Sequence, residues 1–269
     1  MEVKMETTSE VLEFNEKFDK EIQKVTIVTG ASGFSGSNWG EMKLWNACIG
    51  ITAWKLTDSD RIFKGKYFLY SKADDEYLKE LRKIILPNSI ISLKVRQNGN
   101  DFLFVEIIEN KETDKEMEAI LAEQTKPVIY NDKILGEFTL DKRIDLYVGE
   151  IKWLGENIEL DIENYTGKRL DKVFVIANEL VKEEKIWDKK IKEFAAKKLL
   201  KLKNENWLEE AEKEITIEQF IEKIEINSIN ISLKNNFEFY LDDGDVFWGH
   251  TIVVNGNIEK GPLRANIAG

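Results

Sequence analysis

The sequence predicts an α+β protein in two parts. The first is a small β-barrel-like, OB-like domain with the order β-β-β-α-β-β. The second is an antiparallel sheet with a helical insertion. Three observations predict this. Short runs rich in β-branched and aromatic residues dominate both ends of the chain. One amphipathic helical stretch sits among the early runs, and a long helical region sits among the late ones. A polar stretch ending at Pro127, "ENKETDKEMEAILAEQTKP", separates the two groups. The expected domains are therefore 24–110 and 128–269, with 111–127 as a linker or helix.

In the first part, "KVTIVTG", "ACIGITAWKL" and "RIFKGKYFLYS" read as strands. "ADDEYLKELRKIIL" then places Tyr77, Leu78, Leu81, Ile84 and Ile85 on one helical face, and Pro87 follows its end. "SIISLKVRQ" and "DFLFVEIIE" read as a hairpin about an Asn-Gly turn. In the second part, "KILGEFTLDKR", "DLYVGEIKWLG" and "ENIELDIEN" read as a meander. A helical region over about 168–203 follows, broken near Glu183–Lys185, with Trp187, Ile191, Phe194, Ala195 and Leu202 close to one stripe. Thr216 and Gln219 have capping-box spacing. "INSINISLK", "NFEFYL" and "VFWGHTIVVNG" close the sheet. In the last of these, alternation sets Val246, Trp248, His250, Ile252 and Val254 on one face, and Phe247, Gly249, Thr251 and Val253 on the other.

"KVTIVTGASGFSGSNWG" carries Gly30, Gly33 and Gly36 at the spacing of a dinucleotide-binding loop. That chemistry needs a helix launched from the third glycine, so that its amides face the pyrophosphate. Here the next clear element is a strand. The Tyr-x-x-x-Lys pair of the short-chain dehydrogenases is also absent, since none of the 7 tyrosines has a lysine four residues on. The stretch is expected to be a loop joining two strands, with Trp39 available for contact with a partner. No dinucleotide and no other cofactor is expected.

Composition narrows the functional classes. The 269 residues carry 39 Lys and Arg against 50 Asp and Glu, a net charge of −11. That charge disfavours nucleic acid and anionic membrane as partners. Cys48 is the single cysteine, so an intramolecular disulfide and a cysteine zinc cage are impossible. It reads as a small buried apolar residue in a reducing, cytoplasmic protein. No signal-peptide pattern opens the chain, and no apolar run is long enough to span a bilayer.

"YLDDGDVFWGHTI" is the densest candidate site. Asp242, Asp243 and Asp245 offer carboxylates, and His250 is the only histidine. Carboxylates beside a histidine suit hard cations or general acid–base work. Asp-Gly is equally a turn signal, and acids flank turns because they accept backbone amides. Together with Trp248, these residues are candidate binding positions, and no metal ligand or catalytic residue is assigned. "KIWDKKIKEFAAKKLLKLK" has eight lysines and two acids, whereas 205–225 has eight acids and two lysines. The two blocks are expected to neutralise one another.

The C-terminal "FYLDDGDVFWGHTIVVNGNIEKGPLRANIAG" closely resembles a bacterial family known as domain of unknown function 2262. That family ends in an Asp-Gly-Asp-x-Phe-Trp-Gly-His segment, a glycine-containing turn and an Ala-x-Ile-x-Gly tail. Here these are Asp243 to His250, Gly256 to Gly261 and Ala265 to Gly269. "GEFTLDKRIDLYVGEIKWLGENIELDI" and "WDKKIKEFAAKKLLKLKNENWL" resemble its middle part, and the opening resembles its separate N-terminal companion domain. The resemblance covers about 24–269 and implies no activity, ligand or catalytic residue. Analogy with small bacterial families extends it to immunity proteins. The sequence thus points to a non-enzymatic protein-interaction protein with a protein partner, and the analogy points to an immunity or antitoxin type. The alternative is a metal-dependent, hydrolase-like enzyme built on the 242–250 hairpin.

Overall fold

The computed structural model describes residues 8–38, 42–108, 114–210 and 212–269. The chain is mixed α+β and divides into two compact units, 1–126 and 127–269.

The first unit runs α1 (Ser9–Asn15), β1 (Gln23–Thr29), β2 (Ser35–Ser37), β3 (Trp45–Leu56), β4 (Phe63–Ala73), α2 (Asp75–Ile84), β5 (Ile90–Asn98), β6 (Asp101–Ile108) and α3 (Lys115–Thr125). β1 pairs with both β3 and β5, β5 with β6, β6 with β4 in parallel, and β4 with β3. Each of the five long strands therefore has a neighbour on both edges. Ile27, Ile49, Leu69, Leu93 and Phe102 fill the space they share, closed by Leu78, Leu81 and Ile85. Leu78 and Leu81 lie on one stripe of α2, which Asp74 caps by accepting the Tyr77 amide at 2.8 Å. Ile84 of that helix is exposed.

The glycine-rich stretch launches no helix among the described residues. Gly36 lies within β2, paired with Ala47 of β3, and the Gly30 amide donates to the Gly50 carbonyl at 2.7 Å. A Cβ on Gly36 would meet Leu78 Cδ2 at 2.9 Å, so close packing accounts for that glycine. Cys48 is half-buried rather than buried. Strand alternation turns Ala47 and Ile49 inward and leaves Cys48 on the other face beside Ser35. α1 stands before the expected domain start and buries none of its residues. Arg96 ties the chain after it in place, donating to the carbonyls of Asn15, Phe18 and Asp19. α3 packs Met117 against Val28 and Ala53, and Lys55 pairs with its N-cap Asp114.

The second unit runs β7 (Ile129–Asp132), β8 (Gly136–Asp141), β9 (Leu146–Trp153), β10 (Glu156–Glu163), α4 (Lys168–Lys182), α5 (Glu184–Asn206), α6 (Ile217–Lys223), β11 (Glu225–Ser232), β12 (Asn236–Asp242), β13 (Thr251–Asn257) and β14 (Gly261–Ala268). Its eight strands are ordered β14-β13-β12-β11-β10-β9-β8-β7. The pairing is antiparallel except between β10 and β11. A parallel pair needs a long crossover, and α4 to α6 supply it. Leu170, Phe174, Leu180, Trp187, Ile191 and Phe220 from these helices share one core with Leu160, Ile229, Phe239 and Val254 of the strands. The helical break falls at Glu183, and Thr216 and Gln219 form the expected capping box. Leu202 is exposed, contrary to the expected stripe. The inward positions on that turn of α5 are Leu199 and Lys203. Among the described residues, no helix is long and apolar enough to cross a membrane.

Candidate functional site

The Asp243–His250 segment is a compact turn, not the start of a strand. β13 begins only at Thr251, and Val246 and Phe247 are both buried, which overturns the expected alternation. The cause is Asp243, which is only 2% exposed. Its Oδ1 accepts the Asp245 amide at 3.2 Å, and its Oδ2 accepts the amides of Phe247 at 2.5 Å and Gly249 at 3.2 Å. Three amides drawn to one carboxylate cannot also serve a sheet ladder, so the backbone coils around the side chain. The coil needs positive φ at Gly244, Asp245, Trp248 and Gly249. Asp242 Oδ1 accepts the Gly244 amide at 2.8 Å.

Asp243 therefore does structural work with both oxygens, while Asp242 and Asp245 are exposed. Among the described residues, no three His, Cys, Asp or Glu side chains are grouped to hold a metal ion. His250 Nδ1 lies 2.6 Å from the Phe247 carbonyl oxygen, which orients the ring. What the turn brings together is aromatic. Trp207, at the end of α5, lies 4.8 Å from Trp248, 5.1 Å from His250 and 5.5 Å from Phe247, centroid to centroid. Trp248 remains 55% exposed. Sequence reasoning missed Trp207, because nothing local links the end of a helix to a turn 41 residues later. Trp39 lies outside the described residues.

The face of the second sheet opposite α4–α6 is a second candidate surface. Three cross-strand ladders line it. One runs Glu150–Glu159–Ser228–Tyr240–Val253–Asn266. The next runs Val148–Asp161–Asn230–Glu238–Asn255–Arg264. The third includes Leu146 and Glu163 on one side, and Ser232, Asn236 and Asn257 on the other. Glu238 is satisfied by the Tyr240 hydroxyl at 2.8 Å and by the Asn255 amide. Asp161 is not: its Oδ1 is closed off from solvent and has no hydrogen-bond partner. Burial first, then the charges of Glu159 and Asp141, push its carboxyl up to about 6. Burial and Glu238 together push the Tyr240 phenol up to about 12.

No curated protein matches the chain. Residues 10–124 match the model of a domain of unknown function, DUF7021. Residues 132–267, which span just over half the chain and almost all of the second unit, match the model described as "Uncharacterized protein conserved in bacteria (DUF2262)", and the chain belongs to that family.

Proposed function

We propose that the chain is a non-enzymatic bacterial protein-interaction protein of the immunity or antitoxin type, acting in the cytoplasm. The observation that carries this reading is Trp248. A bulky residue at φ 57° costs roughly 1–2 kcal/mol, and here the Asp243 turn over-determines it. The side chain is held outward and propped on Trp207. Rigidly presented tryptophans are the residues that most often dominate protein interfaces. The −11 charge suits a basic partner, since complementary charge speeds encounter. The lone cysteine suits a reducing compartment. In the first unit, five doubly paired strands with α2 between β4 and β5 support an OB-like reading.

The test is pull-down and thermal shift of the tagged chain against the products of adjacent genes, beside Trp248→Ala. The expected result is one partner held by the wild type and released by the variant, with the variant's own melting little changed. Absence of any such partner, together with turnover of a small molecule, overturns the reading.

A further inference from the structure

We propose that the helix-free face of the second sheet is the docking surface for an extended, arginine-rich segment of a partner protein. This rests on the interaction-protein reading, but it uses a surface that excludes Trp248.

The unit separates its charges. The strands β7 to β14 carry eleven acids, while their basic residues are Lys152 and Arg264 alone. The lysine-rich α5 packs on the opposite face. Within the bare face, the acids are arranged against the sheet's own stability. Glu150 and Glu159 stand directly opposite each other across β9 and β10, where like charges repel. Asp161 follows Glu159 on the same face with an oxygen that no donor reaches. A sheet gains nothing from either feature alone, whereas a cation laid over them offsets the Glu150–Glu159 repulsion and compensates the negative charge of Asp161 through space.

The shape indicates which cation. Glu159, Asp161 and Glu163 recur at every second residue, about 7 Å apart, which is the repeat of alternate side chains in an extended chain. Two grooves of about 510 and 530 Å³ lie on this face. Asn230, Ser232 and Asn255 in the first supply carbonyl and hydroxyl acceptors beside Glu163 and Glu238, and Arg264 at its rim is the one cation among its lining residues. Guanidinium has five N–H donors in a planar fork and is more weakly hydrated than ammonium, so it gains most from mixed carboxylate and amide acceptors.

The probes are the peptides Arg-Ser-Arg-Ser-Arg and Lys-Ser-Lys-Ser-Lys, titrated calorimetrically into the full chain at pH 7.5 in low salt. The arginine peptide is expected to bind with one-to-one stoichiometry and more tightly than the lysine peptide. The double variant Asp161→Asn/Glu163→Gln should weaken it at least tenfold. Asn230→Arg, which adds a second cation to Arg264 in the groove and sets it beside Asp161 and Glu238, should abolish binding. Trp248→Ala should bind as the wild type, which separates this surface from the proposed anchor. The double variant Glu179→Gln/Glu193→Gln makes the same charge change on the helices and should also bind as the wild type. No binding by the wild type overturns the proposal. So does equal weakening in both double variants, which would reduce it to net charge. Melting curves confirm that each variant is folded before titration.

Discussion

Gly244 approaches the Lys223 carbonyl so closely that a Cβ added there would stand 2.2 Å from its oxygen. Gly244 also has φ 54°, so two constraints coincide at the junction of the turn and the end of α6. Gly249 in the same turn has φ 81° but open space around its Cβ position. Gly244→Ala should therefore destabilise the second unit by roughly 3 kcal/mol or more, against about 1 kcal/mol for Gly249→Ala. Denaturant melts of both variants check this. Equal losses would mean that the carbonyl contact is not what fixes the glycine.

Asp243→Asn should cost about 2–3 kcal/mol despite its near-identical shape. An amide can accept through one atom only, so a donor is set against at least one of three N–H groups, that of Phe247 being buried and those of Asp245 and Gly249 partly so. Near-UV circular dichroism should change as Trp207, Trp248 and His250 lose their fixed packing. A variant as stable as the wild type, with an unchanged spectrum, would remove Asp243 as the organiser of the turn.

This turn also shows where the sequence stops being legible. Val246 to Val254 alternate well enough to read as one strand, because a five-residue coil between two buried apolar residues leaves the same local pattern. Only the burial of Asp243, a tertiary fact, separates the two. α1 is hard to read for another reason: it is seven residues long, none fully buried, and Phe14 packs on Phe18 and Tyr70, too short a pattern to show a stripe. The five long strands of the first unit and the helical break at Glu183 are readable because their patterns are local, whereas β2 lies in the glycine-rich stretch expected to be a loop. The parallel pairing of β10 with β11 spans the whole helical insertion, and no local pattern encodes it. The acids of "ENIELDIEN" alternate along a stretch that reads in the sequence only as one strand of a meander. That its polar side has no helix over it follows only from where the crossover packs.

Lys203 predicts an ordering of two variants. It is 2% exposed, and its Nζ donates to Glu212 Oε2 at 2.8 Å and to the Trp207 carbonyl at 2.7 Å. The Lys203 hydrogen bond, followed by the Glu209 amide, holds the Glu212 carboxyl below its ordinary value. Glu212→Ala strands a buried ammonium, whereas Lys203→Met keeps the packed stem and lets Glu212 return to water. The melting temperature should fall by several degrees more for Glu212→Ala than for Lys203→Met. The reverse order would show that packing of the lysine stem, not its charge, matters at the foot of α5.

Asp161 should make stability depend on pH. Its folded-state value of about 6 lies above the ordinary 3.8, so the folded chain holds this proton more tightly than the unfolded chain does. The stabilisation this provides is complete below about pH 4 and is lost as pH rises through 6. A two-unit shift corresponds to at most about 3 kcal/mol, and partial solvation reduces that to about 1 kcal/mol. Asp161→Asn cannot titrate, so it should match the wild type near pH 4 and exceed it by about 1 kcal/mol at pH 7.5, or about 2–4 °C in melting temperature. A bound arginine peptide should close the gap from the other side, by stabilising the wild type at pH 7.5 more than the variant. A variant with the same stability offset at both pH values would mean that Asp161 keeps an ordinary carboxyl on the sheet, with no unmet charge for a ligand to neutralise.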